Sequence, residues 1–253
     1  MNRIFIVAVF VLCSAFLPAL CNAADDDRPV VAFIVSDSHY GADTYLPEYA
    51  AALEKKEEIR TIVIHGKGTN QFPDMAKLAD ADVAVLFIRR LALPKEQLDA
   101  FRKFLDRGGA LVALRTASHA FSIKKPSPEG CDQWVEFDAE VLGGNYHGHT
   151  PNSAGCDVLV APEKSDHPIA KDLPARWRSS AGLYLTAPIK DDCTVVLDGS
   201  AGEVKHPVAW TRKLESGSSV VYVGLGCQED YKQPWYPKLL TASIRWALEQ
   251  KGN

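Results

Sequence analysis

The sequence has no Cys-x-x-Cys pair, no Walker-type phosphate loop, no Gly-x-Ser-x-Gly or Gly-x-Cys-x-Gly elbow and no Lys/Arg-rich run. The first absence argues against a structural zinc site or a thioredoxin-like dithiol. The next two argue against a P-loop nucleotide hydrolase, an ordinary serine hydrolase and a cysteine amidotransferase. Gly66-Lys67-Gly68 lacks the rest of a dinucleotide fingerprint. With 28 Lys+Arg against 32 Asp+Glu and a formal charge of −4, a strongly basic nucleic-acid surface is excluded too. No internal repeat or low-complexity linker divides the chain. What remains is ordinary globular material. The 253 residues are 47% hydrophobic and 24% charged, enough apolar surface for a real core. That balance fits neither a disordered tail, a collagen-like fibre nor a small disulfide knot.

The first two dozen residues stand apart. Arg3 is the only charge before Asp25, an apolar run covers residues 4–20, and Ala23 and Ala24 are small. A positive start, a short apolar run and small residues describe a secretory signal peptide cleaved near Ala23. The run is broken by Ser14 and Pro18, marginal for a span of about 20 residues. Residues 1–23 are therefore expected to be a leader and 24–253 one domain, exported to the periplasm or beyond, with no membrane association once the leader is gone. Cys131, Cys156, Cys193 and Cys227 remain. Export permits disulfides, and the spacing does not rank the possible pairings.

Four near-continuous apolar, β-branched runs follow at 30–35, 61–64, 83–88 and 110–114. Such runs mark strands buried on both faces, as in a parallel sheet covered by helices. Helical patterns at 46–55 and 94–107 separate them, the second with Pro94 at its start and Gly108-Gly109 at its end. Alternating strands and helices predict an α/β fold, an open, mostly parallel doubly wound sheet flanked by helices. Further along, 132–142 reads as a helix with Trp134, Phe137 and Val141 on one face. Residues 156–160, 194–197, 208–211 and 220–223 read as strands, the last two as a hairpin around 213–218. Pro207 is expected just ahead of its strand. Residues 238–250 form a closing helix, and 124–130 a surface loop.

Function in open α/β sheets lies beyond the carboxyl ends of the strands. There the sequence sets Asp37-Ser38-His39-Tyr40, His65, Arg89-Arg90, and Arg115-Thr116 followed by Ser118-His119. This enrichment in His and Arg exceeds that of generic turns. Tyr146-His147-Gly148-His149 adds the densest imidazole signal. His147 and His149 share a face in an extended segment, and with His119 they are the candidate ligands for a divalent metal if one is bound. The same imidazoles suit a polar substrate, and no cofactor is required. Asp166-His167-Pro168 and His206-Pro207 are two further His-Pro turns.

These segments together resemble the ThuA-like (trehalose-utilisation) family. They are Leu93-Pro94 to Gln97, Phe101, Gly108-Gly109, strand 110–114 with its His119 turn, Trp134, and Leu142-Gly143-Gly144 with His149. After them come His167-Pro168-Ile169, Leu173-Pro174, His206-Pro207-Val208-Ala209-Trp210, Tyr222, Gly224-Leu225-Gly226 and Ile244-Arg245-Trp246-Ala247. The resemblance spans nearly the whole mature chain. It implies a flavodoxin-like, class I glutamine amidotransferase-like sheet without the amidotransferase cysteine, and a role in catabolism of sugars or oxidised (3-keto) glycosides. Two positions depart from the family pattern, which often has His where Arg115 and Cys227 stand here. The expected function is carbohydrate processing, with His119, His149, His167 and His206 as acid/base candidates, since imidazole titrates near neutrality. His39, Arg89, Arg115, Tyr146 and Tyr222 are the substrate-binding candidates. The alternative is a non-catalytic sugar-binding or interaction module using exposed rings such as Tyr40, Tyr146, Tyr231, Trp235 and Tyr236.

Overall fold

The apolar runs become strands because alternate residues of each feed opposite layers. In β1 (Val30–Val35), Val31, Phe33 and Val35 enter one core while Val30, Ala32 and Ile34 enter the other. The same division holds in β3 (Val83–Phe87) and β4 (Ala110–Leu114). Neither face meets water, so neither needs polar residues. The computed structural model describes residues 26–36, 39–67 and 70–251. The expected leader and its cleavage point lie outside these, as do Asp37 and Ser38.

β2 (Arg60–His65) pairs with β1 in parallel, and the nine-stranded sheet runs β2-β1-β3-β4-β9-β8-β7-β5-β6. Here β5 is Cys156–Val160, β6 Arg176–Ser179, β7 Thr194–Ala201, β8 Val204–Lys213 and β9 Ser219–Val223. Neighbours from β2 to β9 are parallel and those from β9 to β6 antiparallel, so only β5 and β8 run against the rest. The expected open, mostly parallel α/β sheet is present. On one face lie α1 (Ala42–Lys56) and α3 (Trp235–Gln250), contributing Leu46, Tyr49, Leu53, Leu239, Leu240 and Ile244. On the other lies α2 (Lys95–Asp106), whose Phe101 and Phe104 join Phe121 and Phe137. Among the described residues no helix is long and apolar enough to cross a membrane.

Two expectations fail locally. Residues 132–142 do not form one helix: Cys131–Asp132 pairs with Leu93–Pro94, and only Asp138–Leu142 is helical, as a single wide turn. The Trp134 N–H donates to the Phe121 carbonyl instead of to a helical partner. The apolar spacing was real, because Phe137 and Val141 are buried. Pro207 lies inside β8, opposite Asp198 of β7, instead of ahead of the strand. It is tolerated there because it faces β7 where the β7–β8 register is broken between Leu197 and Asp198, so its absent N–H falls at an irregularity of the ladder.

The phenylalanine cluster yields a direct test. Phe101 is fully buried with its ring 5.4 Å from that of Phe121 and 5.9 Å from that of Phe137. Phe101→Ala is expected to cost about 3–5 kcal/mol in urea denaturation; a loss below about 1 kcal/mol would contradict this packing.

Candidate functional site

The parallel half of the sheet has the order β2-β1-β3-β4-β9, so the chain leaves β1 and β3 towards opposite edges. A crevice opens at such a switch point, beyond the carboxyl ends. It holds His39 and Tyr40 after β1, Arg89 and Arg90 after β3, and the turn Arg115–His119 after β4. The ribbon pairing Gly148–His149 with Tyr184–Leu185 covers it, bringing Tyr146, His149 and Tyr184 to the same cleft of about 550 Å³. Two hollows adjoin it. One, of about 470 Å³, lies between Arg89, Arg90 and Lys125. The other, of about 290 Å³, lies between His119, Tyr146 and Asp138, and Arg90 borders all three.

The floor is Arg115, which is fully buried. Its guanidinium donates to the carbonyls of Gly224 (2.8 Å) and Gly182 (3.3 Å) and lies between the rings of Tyr40 and Tyr184, 4.5 and 4.3 Å from their centroids. The Arg115 carbonyl accepts from the hydroxyls of Tyr222 (3.0 Å) and Ser118 (3.2 Å). Those bonds hold a backbone that L residues avoid, with φ at +40°. Arg115 therefore occupies the strand-to-turn elbow where related architectures expose a nucleophile, but its side chain turns inward. Tyr40, Arg90 and Lys124 also have left-handed φ (+63°, +50° and +57°), and with Arg115 they are the only such non-glycine residues among those described. All four border or underlie this one cleft. Strain of this kind, on the order of 1–3 kcal/mol each, persists where surroundings enforce it and clusters at functional sites.

The Gly224 carbonyl is itself positioned. The Asp230 carboxylate, buried, accepts from Ser179 Oγ and from the N–H groups of Gly226 and Cys227. Gly226 has φ of +118°, and a Cβ there would lie 2.5 Å from the Tyr236 hydroxyl, so only glycine fits the turn.

His119 is 8% exposed and stacks on Tyr146, ring centroids 4.5 Å apart. Its Nδ1 meets Ser118 Oγ at 3.1 Å. Because Ser118 donates its proton to the Arg115 carbonyl, Nδ1 is assigned as the protonated nitrogen and Nε2 keeps the lone pair. Burial, then the charges of Arg90, Arg89, Arg115 and Lys124, push the His119 pKa down to about 3, so the ring is neutral at physiological pH. Asp138 moves the other way. Burial raises its pKa to about 6, partly offset by the Tyr146 N–H that donates to Oδ2 at 2.6 Å, and its Oδ1 has no partner among the described residues.

The expected site residues separate into three groups. His39, Arg89, His119, Tyr146 and His149 line the cleft together. Arg115 and Tyr222 are fully buried beneath it, so they shape the site from below and do not reach a substrate directly. His167 and His206 do not line it. His167 is half-buried against Trp246 of α3, and its Nδ1 accepts the Ile169 N–H. The His206 Nδ1 accepts the N–H groups of Thr186 and Ala187, which straps that turn to β8. His65 ends β2 exposed, one strand away from the switch point. Of the rings considered for sugar stacking, Tyr40 and Tyr146 border the cleft, whereas Tyr231, Trp235 and Tyr236 pack with each other and with Tyr45 in the core around α3. Tyr184, Arg90 and Lys124 complete the lining. Among the described residues no three His, Cys, Asp or Glu side chains converge to hold a metal ion, so His119, His147 and His149 do not form a ligand set. The four cysteines among the described residues, Cys131, Cys156, Cys193 and Cys227, are free thiols.

Fold and site thus define an α/β protein with a switch-point cleft and an elbow occupied by the inward-turned Arg115. The trehalose-utilisation (ThuA) family profile matches residues 33–247, and the chain belongs to that family. Two solved structures share the fold. A thua-like protein from Bacteroides uniformis ATCC 8492 is 20% identical with a TM-score of 0.63, over 87% of this chain and 92% of that one. A thua-like protein from Parabacteroides merdae ATCC 43184 is 15% identical with a TM-score of 0.59, over 87% and 90%. No curated protein matches the chain.

Two variants test this geometry. Arg115→Met strands the Gly224 and Gly182 carbonyls and removes the cation between two rings, and is expected to cost about 2–4 kcal/mol in equilibrium unfolding. A change within about 0.5 kcal/mol would contradict the floor described here. Asp138 has a raised folded-state pKa, so the native state binds its proton more tightly and loses stability as pH rises from about 4 to about 6. Asp138→Asn removes that loss. Its stability relative to the parent is expected to rise by on the order of 2 kcal/mol between pH 4 and pH 7, and a difference independent of pH would contradict the assignment.

Proposed function

We propose that this ThuA-family protein is an exported carbohydrate-processing enzyme that acts on a sugar or oxidised (3-keto) glycoside by histidine acid/base chemistry. Family membership supports the link to carbohydrate utilisation. The composition of residues 1–23 supports export. One observation carries the chemical reading: the His119 ring, hydrogen-bonded to Ser118, stacks on Tyr146 in a cleft edged by Arg89 and Arg90. At the elbow Arg115 turns inward and the Ser118 hydroxyl is held by the Arg115 carbonyl and His119, which favours proton transfer as the chemistry the residues supply.

A 3-keto-glycoside matches that equipment. The hydrogen on C2 is acidified by the C3 carbonyl, and His119 Nε2 takes it as general base. The electron pair moves into the C2–C3 enolate, whose oxygen a guanidinium of Arg89 or Arg90 receives through charge-assisted hydrogen bonds. Collapse of the enolate forms the C1–C2 double bond and breaks the glycosidic C1–O bond. The departing oxygen takes a proton from His149, at the cleft mouth with its Nδ1 anchored on the Thr150 carbonyl. Water added across the new double bond completes a net hydrolysis.

The test compares turnover of 3-keto-glycosides by the parent, His119→Ala and His149→Ala, each checked for folding by circular dichroism. His119→Ala is expected to lower kcat by about 100- to 10,000-fold. Undiminished turnover in that variant contradicts the mechanism, and sugar binding without turnover in the parent contradicts the enzyme reading in favour of a binding module.

A further inference from the structure

We infer that the cleft takes a sugar bearing its own negative charge, a carboxylate or a phosphate, with the anion in the hollow between Arg89, Arg90 and Lys125 and the ring over Tyr146 and Tyr184. This rests on the reading of the cleft as a sugar site. The whole chain carries a formal charge of −4, yet among the described residues no Asp or Glu lines either the main cleft or the arginine hollow. Nor is any of Arg89, Arg90, Lys124 and Lys125 ion-paired among the described residues. Cations gathered in a concave, partly desolvated site focus the potential on whatever enters it.

Arg90 is pre-aimed. Its backbone is left-handed, its N–H donates to the His119 carbonyl, and its Nη1 donates to the Ser122 carbonyl at 3.3 Å. A neutral sugar leaves these guanidiniums answered only by hydroxyl dipoles, whereas a carboxylate or phosphate matches their planar fork. The electrostatics of His119 agree with this. Burial first, and then the charges of Arg90, Arg89, Arg115 and Lys124, hold its basicity down, and an anion beside Arg90 and Arg89 cancels part of that field. The ligand's charge would then restore strength to the base that acts on it.

The experiment is a nuclear magnetic resonance titration of the full mature chain at one ionic strength with D-glucuronate, glucose 6-phosphate, glucose and inorganic phosphate. At least one charged sugar is expected to bind about tenfold or more tightly than glucose. Glucuronate against glucose 6-phosphate decides between carboxylate and phosphate. Lys125→Gln is expected to abolish most of that preference while leaving the affinity for glucose unchanged, and Arg89→Gln to abolish most of it whatever its effect on glucose binding. Equal affinities for glucose and both charged sugars overturn the inference and leave the sugar-cleft reading standing. A preference that survives both substitutions also overturns it. Inorganic phosphate binding that depends on Arg89, with no binding of any sugar, supports the anion hollow but overturns the sugar reading. Absence of any Arg89-dependent anion binding overturns the inference outright.

Discussion

A guanidinium buried without a carboxylate partner among the described residues holds the carboxyl rim of this protein together. Arg115 joins the loop after β1 through Tyr40, the turn after β9 through Gly224, and the covering ribbon through Gly182 and Tyr184. A lysine in its place would offer one point charge, whereas the planar guanidinium stacks on two rings and still donates in its own plane. The desolvation cost is met because its charge is spread and its partners are fixed. Tyr40 and Tyr184 at the cleft lean on this unit, as does the Ser118 hydroxyl that meets His119. The elbow that related architectures use to present a reactive side chain is used here as a keystone.

That choice explains how the two departures from the family pattern fit together. Cys227 begins the short helical turn 228–231, its N–H is accepted by Asp230, and its thiol is close enough to feel the Arg115 charge. Burial, with Asp230 second, keeps the thiol above its ordinary pKa, so Cys227 is a neutral packing group. Arg115 and Cys227, the two positions read from the sequence as departures from the resemblance, thus belong to one buried region. His119 and His149, to which the proposed mechanism gives the proton transfers, line the cleft above it.

Much of the fold was legible because its physics is one-dimensional. Strands covered on both faces need apolar residues at every position, so β1, β3 and β4 stand out in sequence. β8 was harder. Its first residues are exposed or half-buried and include Pro207, and it is their pairing with β7, Ala201 opposite Val204, that makes that segment a strand. Residues 132–142 carried a helical apolar spacing, but long-range bonds from Trp134 to Phe121 and from Cys131–Asp132 to Leu93–Pro94 took precedence over propensity. In the site, strand ends revealed His39, Arg89 and His119, because the order of a parallel sheet maps sequence onto one rim. The inward turn of Arg115 depends on a left-handed φ that no spacing announces. Tyr184 arrives on a two-residue ribbon too short to leave a pattern. His167 and His206 stand in similar His-Pro turns, but the fold sets them away from the cleft, with their Nδ1 atoms accepting backbone N–H groups.

The central claim is that chemistry occurs at the switch point between β1 and β3, over the Arg115 floor. A crystal structure of the His119→Ala protein soaked with a 3-keto-glycoside tests it most directly. The account predicts a sugar ring against Tyr146 and Tyr184, its keto oxygen within hydrogen-bonding distance of Arg89 or Arg90 and its C2 facing the space vacated by the imidazole. A sugar bound instead in the groove between α1 and α3, near Tyr45 and Pro237, would contradict it.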